Sequence, residues 1–185
     1  NVWPDEIQPN FSTTIDSLYN KMEKLSQILL EICSIYLGKP KNWLPEMAYE
    51  GNTILRVIHY PTLGENALQG AVRSAKHEDI NFITLLLGAT ADGLEVRDYD
   101  GGWIKVESNH DFIIVDSGDM LQNITNGLFR SVTHRVVNPS DNFSDRYSMP
   151  LFTHPRDEVD LTPLPEFIQK TGGKAIYPKI TAGEF

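Results

Sequence analysis

Hydrophobic and polar residues follow two different periods along this chain. Between residues 12 and 37, Ile15, Leu18, Met22, Leu25, Leu29, Ile32 and Tyr36 recur at alternating spacings of three and four. That spacing predicts one apolar face of an α-helix covering a core. Ser12, Thr13 and Thr14 offer N-caps, Asp16 stands in the first turn, and Gly38 and Pro40 end the helix.

After residue 50 the period shortens to that of a β-strand. Seven runs fit: T-I-L-R-V-I-H-Y (53–60), F-I-T-L-L-L (82–87), L-E-V-R-D-Y (94–99), W-I-K-V (103–106), D-F-I-I-V (111–115), S-V-T-H-R-V-V (131–137) and R-Y-S-M-P-L-F (146–152). D-G-G between the third and fourth is a hairpin signal. Short strands with no helical pattern between them predict a mainly β fold with flanking helices, a sandwich or jelly roll. Pro163, Pro165 and Gly172-Gly173 predict a loose C-terminal extension with a short helix at 165–170. The expected organisation is one domain over 1–185, with the long helix at 12–37, the β core at 50–155 and the extension at 156–185.

Composition narrows the function. A chain of 185 residues that is 41% hydrophobic can build one sizeable core. Its net charge of −9 disfavours nucleic acid or an anionic membrane as the main partner. A small anion would need a deliberately placed local cation. The single cysteine, Cys33, sits in the helical stretch and reads as a core thiol, which suits a reducing, cytoplasmic setting. No run approaches the ~18 apolar residues of a membrane span. The chain opens on Asn1 rather than Met, and a preceding segment is expected to be missing.

The candidate chemistry starts at K-H-E-D, residues 76–79. On a strand, His77 and Asp79 point to one side and Glu78 to the other. An imidazole and a carboxylate converging beside an apolar run can share a cation, which offsets the cost of burying charge there. The pair alone is a weak signal, since most such pairs are solvated. His134 adds a third group, on the face it shares with Val132 and Val136. A lone histidine on an apolar face is more often a hydrogen-bonded core residue. Two histidines and one carboxylate, however, make the facial triad of non-haem Fe(II) oxygenases. Arg146 and Ser148 share a strand face farther on, and a guanidinium beside a hydroxyl suits a carboxylate.

These blocks together resemble the isopenicillin N synthase-like Fe(II)/2-oxoglutarate-dependent dioxygenases, the iron/ascorbate oxidoreductases. The similarity is carried by L-R-V-I-H-Y-P (55–61), H-E-D-I-N-F-I-T-L-L-L (77–87), G-L-E-V (93–96) with Trp103, S-G-D-M-L-Q-N-I-T-N-G (117–127) running into S-V-T-H-R-V (131–136), and R-Y-S-M-P-L-F (146–152). The resemblance implies a double-stranded β-helix, a jelly roll of two facing antiparallel sheets. It implies Fe(II) held by His77, Asp79 and His134, and the distal carboxylate of 2-oxoglutarate held by Arg146, Ser148 and Tyr60. The implied reaction couples oxidative decarboxylation of 2-oxoglutarate, with O2, to hydroxylation, desaturation or cyclisation of a small organic substrate, with ascorbate as an optional reductant.

Where several plant members carry Asn two residues before the strand tyrosine, this chain has Ile58. Within the resemblance, Asp119, Thr125, Asn126, Gly127, Ser131 and Arg135 are expected to orient the third histidine. His110 and His154 read as surface residues, and His59, which faces opposite to Tyr60 on its strand, is unassigned. Two alternatives stay open: an isopenicillin N synthase-type oxidase that uses no 2-oxoglutarate, and a non-catalytic jelly-roll binding module. Substrate and oligomeric state carry no readable code.

Overall fold

The helical period is realised as α1, Phe11–Tyr36, in a computed structural model that describes residues 2–63, 71–107, 109, 111–138 and 145–185. Its buried positions are Met22, Ser26, Leu30 and Ser34, whereas Ile32 and Tyr36 are 57% and 75% exposed. The expected stripe averages 3.5 residues per turn and slips by ~20° per heptad around a helix of 3.6. Over three heptads the slip carries its last members out of the core. Small serines take their place and let neighbours approach. The Ser34 hydroxyl donates to the Leu30 carbonyl (2.8 Å) and accepts the Leu44 N–H (3.1 Å). This ties α1 to α2, Trp43–Ala48, a short helix that the periodicity did not announce. The expected caps are not used either. Asn10 is the N-cap residue and makes no side-chain cap bond, and the Asp5 carboxylate accepts the Ser12 N–H at 2.9 Å.

Among the described residues nine strands follow: β1 Ile54–Leu55, β2 Ile58–Tyr60, β3 Ser74–His77, β4 Ile83–Leu87, β5 Leu94–Arg97, β6 Trp103–Lys105, β7 Ile113–Ser117, β8 His134–Val136 and β9 Arg146–Thr153. The ladders among these strands are antiparallel. One sheet has the order β1-β9-β4-β7 with β2 also on β9, and the other β3-β8-β5-β6. The run at 53–60 splits into β1 and β2 opposite Pro150. Arg56 N–H donates to the Pro150 carbonyl at 3.0 Å, but proline has no N–H to return, so the ladder lapses there.

The larger sheet has two faces of different chemistry, as alternation requires. Ile83, Leu85 and Leu151 join Met22 and Leu30 in the hydrophobic core, so α1 covers the outer face. Thr84, Leu86, Arg146, Ser148, Pro150 and Phe152 turn inward and line a cavity between the sheets. The protein is a mainly β jelly roll of two antiparallel sheets preceded by one long helix.

Two connections depart from expectation. Between β7 and β8 lies α3, Asp119–Ile124, within the S-G-D…T-N-G stretch. The segment after residue 155 is bonded to α3 and the turn after it. Asn123 Nδ2 donates to the carbonyls of Leu161 (2.7 Å) and Pro178 (3.1 Å). Asn126, buried at φ 52°, donates to Thr171 and the Lys174 carbonyl and accepts the Ile176 N–H. The predicted helix at 165–170 is α4, Pro165–Lys170, with Phe167 in the core. Among the described residues no helix is long and apolar enough to cross a membrane.

Candidate active site

The cavity has a volume of about 320 Å³ and is walled by both sheets. His77 ends β3 and is the register partner of His134 on β8. Each ring is held the same way. His77 Nδ1 lies 2.8 Å from the Ala75 carbonyl, and His134 Nδ1 lies 2.9 Å from the Val132 carbonyl. A carbonyl can only accept, so each Nδ1 is the donor, and each Nε2 is the ring nitrogen left to offer a lone pair to a metal.

Asp79 is not on a strand with His77, contrary to the alternation argument. β3 has ended, and Asp79 lies in the loop before β4. The pair meets because the chain turns, not because strand residues alternate. Hydrogen bonds from Thr84 and from the 118–120 backbone hold that loop. The Thr84 hydroxyl donates to Asp79 Oδ2 at 2.5 Å and accepts from Asn81 Nδ2 at 2.9 Å. The Asp119 N–H donates to the Asp79 carbonyl at 2.7 Å. Gly118 is needed beside it, because a Cβ there would sit 2.6 Å from the Asp79 carbonyl oxygen and 2.4 Å from that of Asn81. With Oδ2 occupied, Oδ1 faces the imidazoles, 3.7 Å from His77 Nε2 and 3.9 Å from His134 Nε2. The three donor atoms lie within 4.8 Å of one another and could hold a metal ion. Two neutral nitrogens and one carboxylate suit a divalent first-row metal and leave coordination positions open. Glu78 turns away, as expected, and accepts from the Thr133 hydroxyl at 2.5 Å.

Behind the triad stands Asp116, opposite Thr84 on β7. It lines the cavity, and burial, reinforced by the Asp79 charge, pushes its carboxyl up to about 7. The apolar run D-F-I-I-V ends at residue 115, so Asp116 falls just outside the strand that the sequence predicts. Its inward position follows once β7 is seen to run through Ser117.

Arg146 stands at the other end of the cavity, on β9. It is 2% exposed, opposite Tyr60 in the β2–β9 ladder, with Cζ 5.2 Å from the Tyr60 ring. Nε donates to the Ala91 carbonyl at 3.2 Å, whereas the buried Nη1 has no hydrogen-bond partner. Ser148, also buried, is the next inward residue of β9. A buried guanidinium with an unused N–H, beside a hydroxyl, has donors that could take a carboxylate. Arg73, not singled out from the sequence, stands near the same tyrosine with Cζ 6.0 Å from its ring.

Other expected roles shift. Thr125 donates to the Leu121 carbonyl at 2.7 Å and Asn126 holds the C-terminal segment, so neither touches His134. Gly127 turns at φ 86° beside Tyr177. Ser131 N–H donates to the Gln122 side chain at 3.1 Å. Arg135 pairs with Glu95 at 2.7 Å and stacks over Trp103 at 4.0 Å, away from the cavity. Asp119 alone of that set touches the ligand-bearing loop. His154 is partly buried rather than a surface residue, and burial lowers its pKa. His59 pairs with Asp145 at 3.0 Å and stacks on Tyr147. His110 lies outside the described residues. Cys33 packs against the core, and burial raises its thiol pKa.

Known proteins share this arrangement. The family model of the 2OG-Fe(II) oxygenase superfamily matches residues 51–155. The chain is 32% identical over 193 residues to the 2-oxoglutarate-Fe(II) type oxidoreductase ppzD of Metarhizium rileyi, covering 100% of this chain and 54% of that protein. It is 36% identical over 171 residues to the 2-oxoglutarate-dependent dioxygenase citB of Monascus ruber, covering 89% and 51%. Among solved structures, a 2OG-Fe(II) oxygenase family protein from Caulobacter crescentus superposes with a TM-score of 0.87 at 37% identity, covering 100% of this chain and 59% of that one. A full-length Neurospora crassa protein in complex with alpha-KG gives 0.89 at 26% identity, covering 99% and 58%. The chain therefore spans about half the length of the curated relatives it matches. Because the matched segment contains both sheets and every residue of the cavity, the chain belongs to the 2OG-Fe(II) oxygenase superfamily.

Proposed function

We propose that this protein is a non-haem Fe(II) oxygenase that uses 2-oxoglutarate and O2 to oxidise a small organic substrate, in the isopenicillin N synthase-like branch of the superfamily. The observation that carries this reading is the pair of free Nε2 atoms and the free Asp79 Oδ1 converging on one point, with every other polar atom of the three side chains already bonded. His77, Asp79 and His134 would hold Fe(II). Bound together, Fe(II) and 2-oxoglutarate supply oxidative decarboxylation to succinate and CO2, coupled to O2-driven oxidation of a substrate C–H bond.

The protein's own part is binding, orientation and exclusion of water. Arg146 Nη1 and the Ser148 hydroxyl would bind the distal carboxylate of 2-oxoglutarate, with Tyr60 beside them. A dianion approaching a chain of net charge −9 is repelled on average, so a guanidinium buried among apolar groups must dominate locally. Leu86, Leu94 and Val136 line the stretch between and keep the cosubstrate's chain dry. The Thr84 hydroxyl and the two backbone carbonyls hold the ligands in orientation, so little rearrangement is needed on loading. The lone, core-packed Cys33 fits work in a reducing cytoplasm.

Anaerobic addition of Fe(II) and 2-oxoglutarate tests the reading. A weak visible charge-transfer band that requires both is the expected result. Its absence from folded protein would favour a binding module instead. Substrate oxidation without succinate would favour the oxidase.

A further inference from the structure

Among the described residues three guanidiniums line the cavity, and they do not occupy the same end of it. Arg146 and Arg73 both lie near the Tyr60 ring, at 5.2 and 6.0 Å. Arg56 instead stands over Phe152, its Cζ 5.3 Å from the ring centroid. Phe152 is the register partner of Thr84, the residue whose hydroxyl holds Asp79. From Arg146 to Phe152, β9 advances six residues, or ~20 Å of strand at about 3.3 Å per residue. Arg56 therefore belongs to the metal end.

Its placement follows from local structure. Arg56, Ile58 and Tyr60 alternate onto one inward face. Pro150 breaks the ladder beside Arg56, whose own N–H still reaches the Pro150 carbonyl at 3.0 Å. The backbone is thus anchored at the lip of the cavity. Among the described residues Arg56 forms no ion pair, although acidic residues outnumber basic ones, 25 to 16. Stacking over Phe152 orients a guanidinium without using its N–H groups. What remains is a planar fork of donors on an exposed guanidinium at the cavity rim, the geometry that takes a carboxylate bidentately.

Neither carboxylate of the cosubstrate needs it. One would lie on Arg146 and Ser148, and the other at the metal. Given 2-oxoglutarate placed in that way, as proposed above, we infer that the oxidised substrate is a small organic acid whose carboxylate Arg56 holds at the metal end. Its body lies against the Phe152 ring, and this directs one C–H bond toward the open coordination positions beside Asp79.

The test titrates protein loaded anaerobically with Fe(II) and 2-oxoglutarate. The probes are hexanoate, decanoate, phenylacetate and cinnamate, each beside its methyl ester. The readouts are displacement of the visible band and the rise in Tm. At least one acid is expected to perturb the band while its ester does not. Arg56→Gln should weaken that acid on the order of tenfold or more, Arg56→Lys should restore part of the loss, and affinity for 2-oxoglutarate should stay unchanged in both. Equal binding of acid and ester, unchanged acid affinity in Arg56→Gln, or binding of no acid in the panel each overturns the inference. Failure of the underlying reading is distinct, since the wild-type protein would then show no 2-oxoglutarate-dependent band before any acid is added.

Discussion

His77 and His134 face each other as register partners across the β3–β8 ladder, with ring centroids 4.3 Å apart. One strand pair thus sets the spacing of two of the three donors, and only Asp79 depends on a loop. Replacing any one donor with alanine leaves two, too few to retain Fe(II) through gel filtration. Stoichiometric iron measured by elemental analysis should fall to background in His77→Ala, Asp79→Ala and His134→Ala. Full retention in all three would refute the ligand set.

Thr84 offers a finer probe, because it touches the ligand and not the metal site itself. Its hydroxyl occupies Asp79 Oδ2 at 2.5 Å. Thr84→Val keeps the shape and removes the hydrogen bond, so Fe(II) affinity should fall by roughly 10–100-fold. Thr84→Ser should recover most of it. If valine binds iron as tightly as threonine, orientation of Asp79 comes from the loop alone.

At the opposite end, Arg146→Ala should weaken 2-oxoglutarate binding by about 1.5–3 kcal/mol, the worth of a charged hydrogen-bonding partner. Iron content should be unaffected. Anaerobic titration followed at the visible band reads both quantities, and unchanged cosubstrate affinity would remove Arg146 from its role.

Asp116 predicts a pH dependence of the metal-free protein. Burial, with the neighbouring Asp79 charge, raises its folded pKa to about 7 from an ordinary 3.8. Between those values the folded chain binds more protons than the unfolded one, so this residue's contribution to stability is lost as pH rises from about 4 to about 7. Asp116→Asn removes the titration. It should raise Tm relative to wild type at pH 8 more than at pH 4. An equal shift at both pH values would show that ionisation of Asp116 is not what costs stability.

The C-terminal segment should carry stability. Asn126 bonds Thr171, Lys174 and Ile176, and it does so at a positive φ that asparagine tolerates better than most residues. Asn126→Ala strands the Ile176 N–H and adds backbone strain, at about 1–3 kcal/mol. For a chain of this length that is roughly 3–10 °C in Tm by circular dichroism. No change would mean that the segment is held by its apolar contacts alone.

Particular residues show where reading the chain succeeded and where it stopped. Strand alternation correctly put Arg146 and Ser148 on one face, because β9 is long and regular there. The same rule gave a false reason for pairing His77 with Asp79, since alternation cannot tell where a strand ends. Arg56 was within reach of it, four residues before Tyr60, but nothing local marks that face as the inner one. Asp116 was lost by ending β7 early. The helices α2 and α3 are each six residues, too short for a period of 3.6 to stand out.

Read alone, the chain already contains the kinds of donor, the alternation of its strands and the long helix, because each is a property of neighbours in sequence. Which strands become partners, that His77 meets His134, and that Arg146 and Arg56 take opposite ends of one cavity are matters of register between segments up to about a hundred residues apart. Such pairings follow from closing two sheets over a common core, where shifting a strand by one residue would turn every inward side chain out. No local pattern encodes that closure.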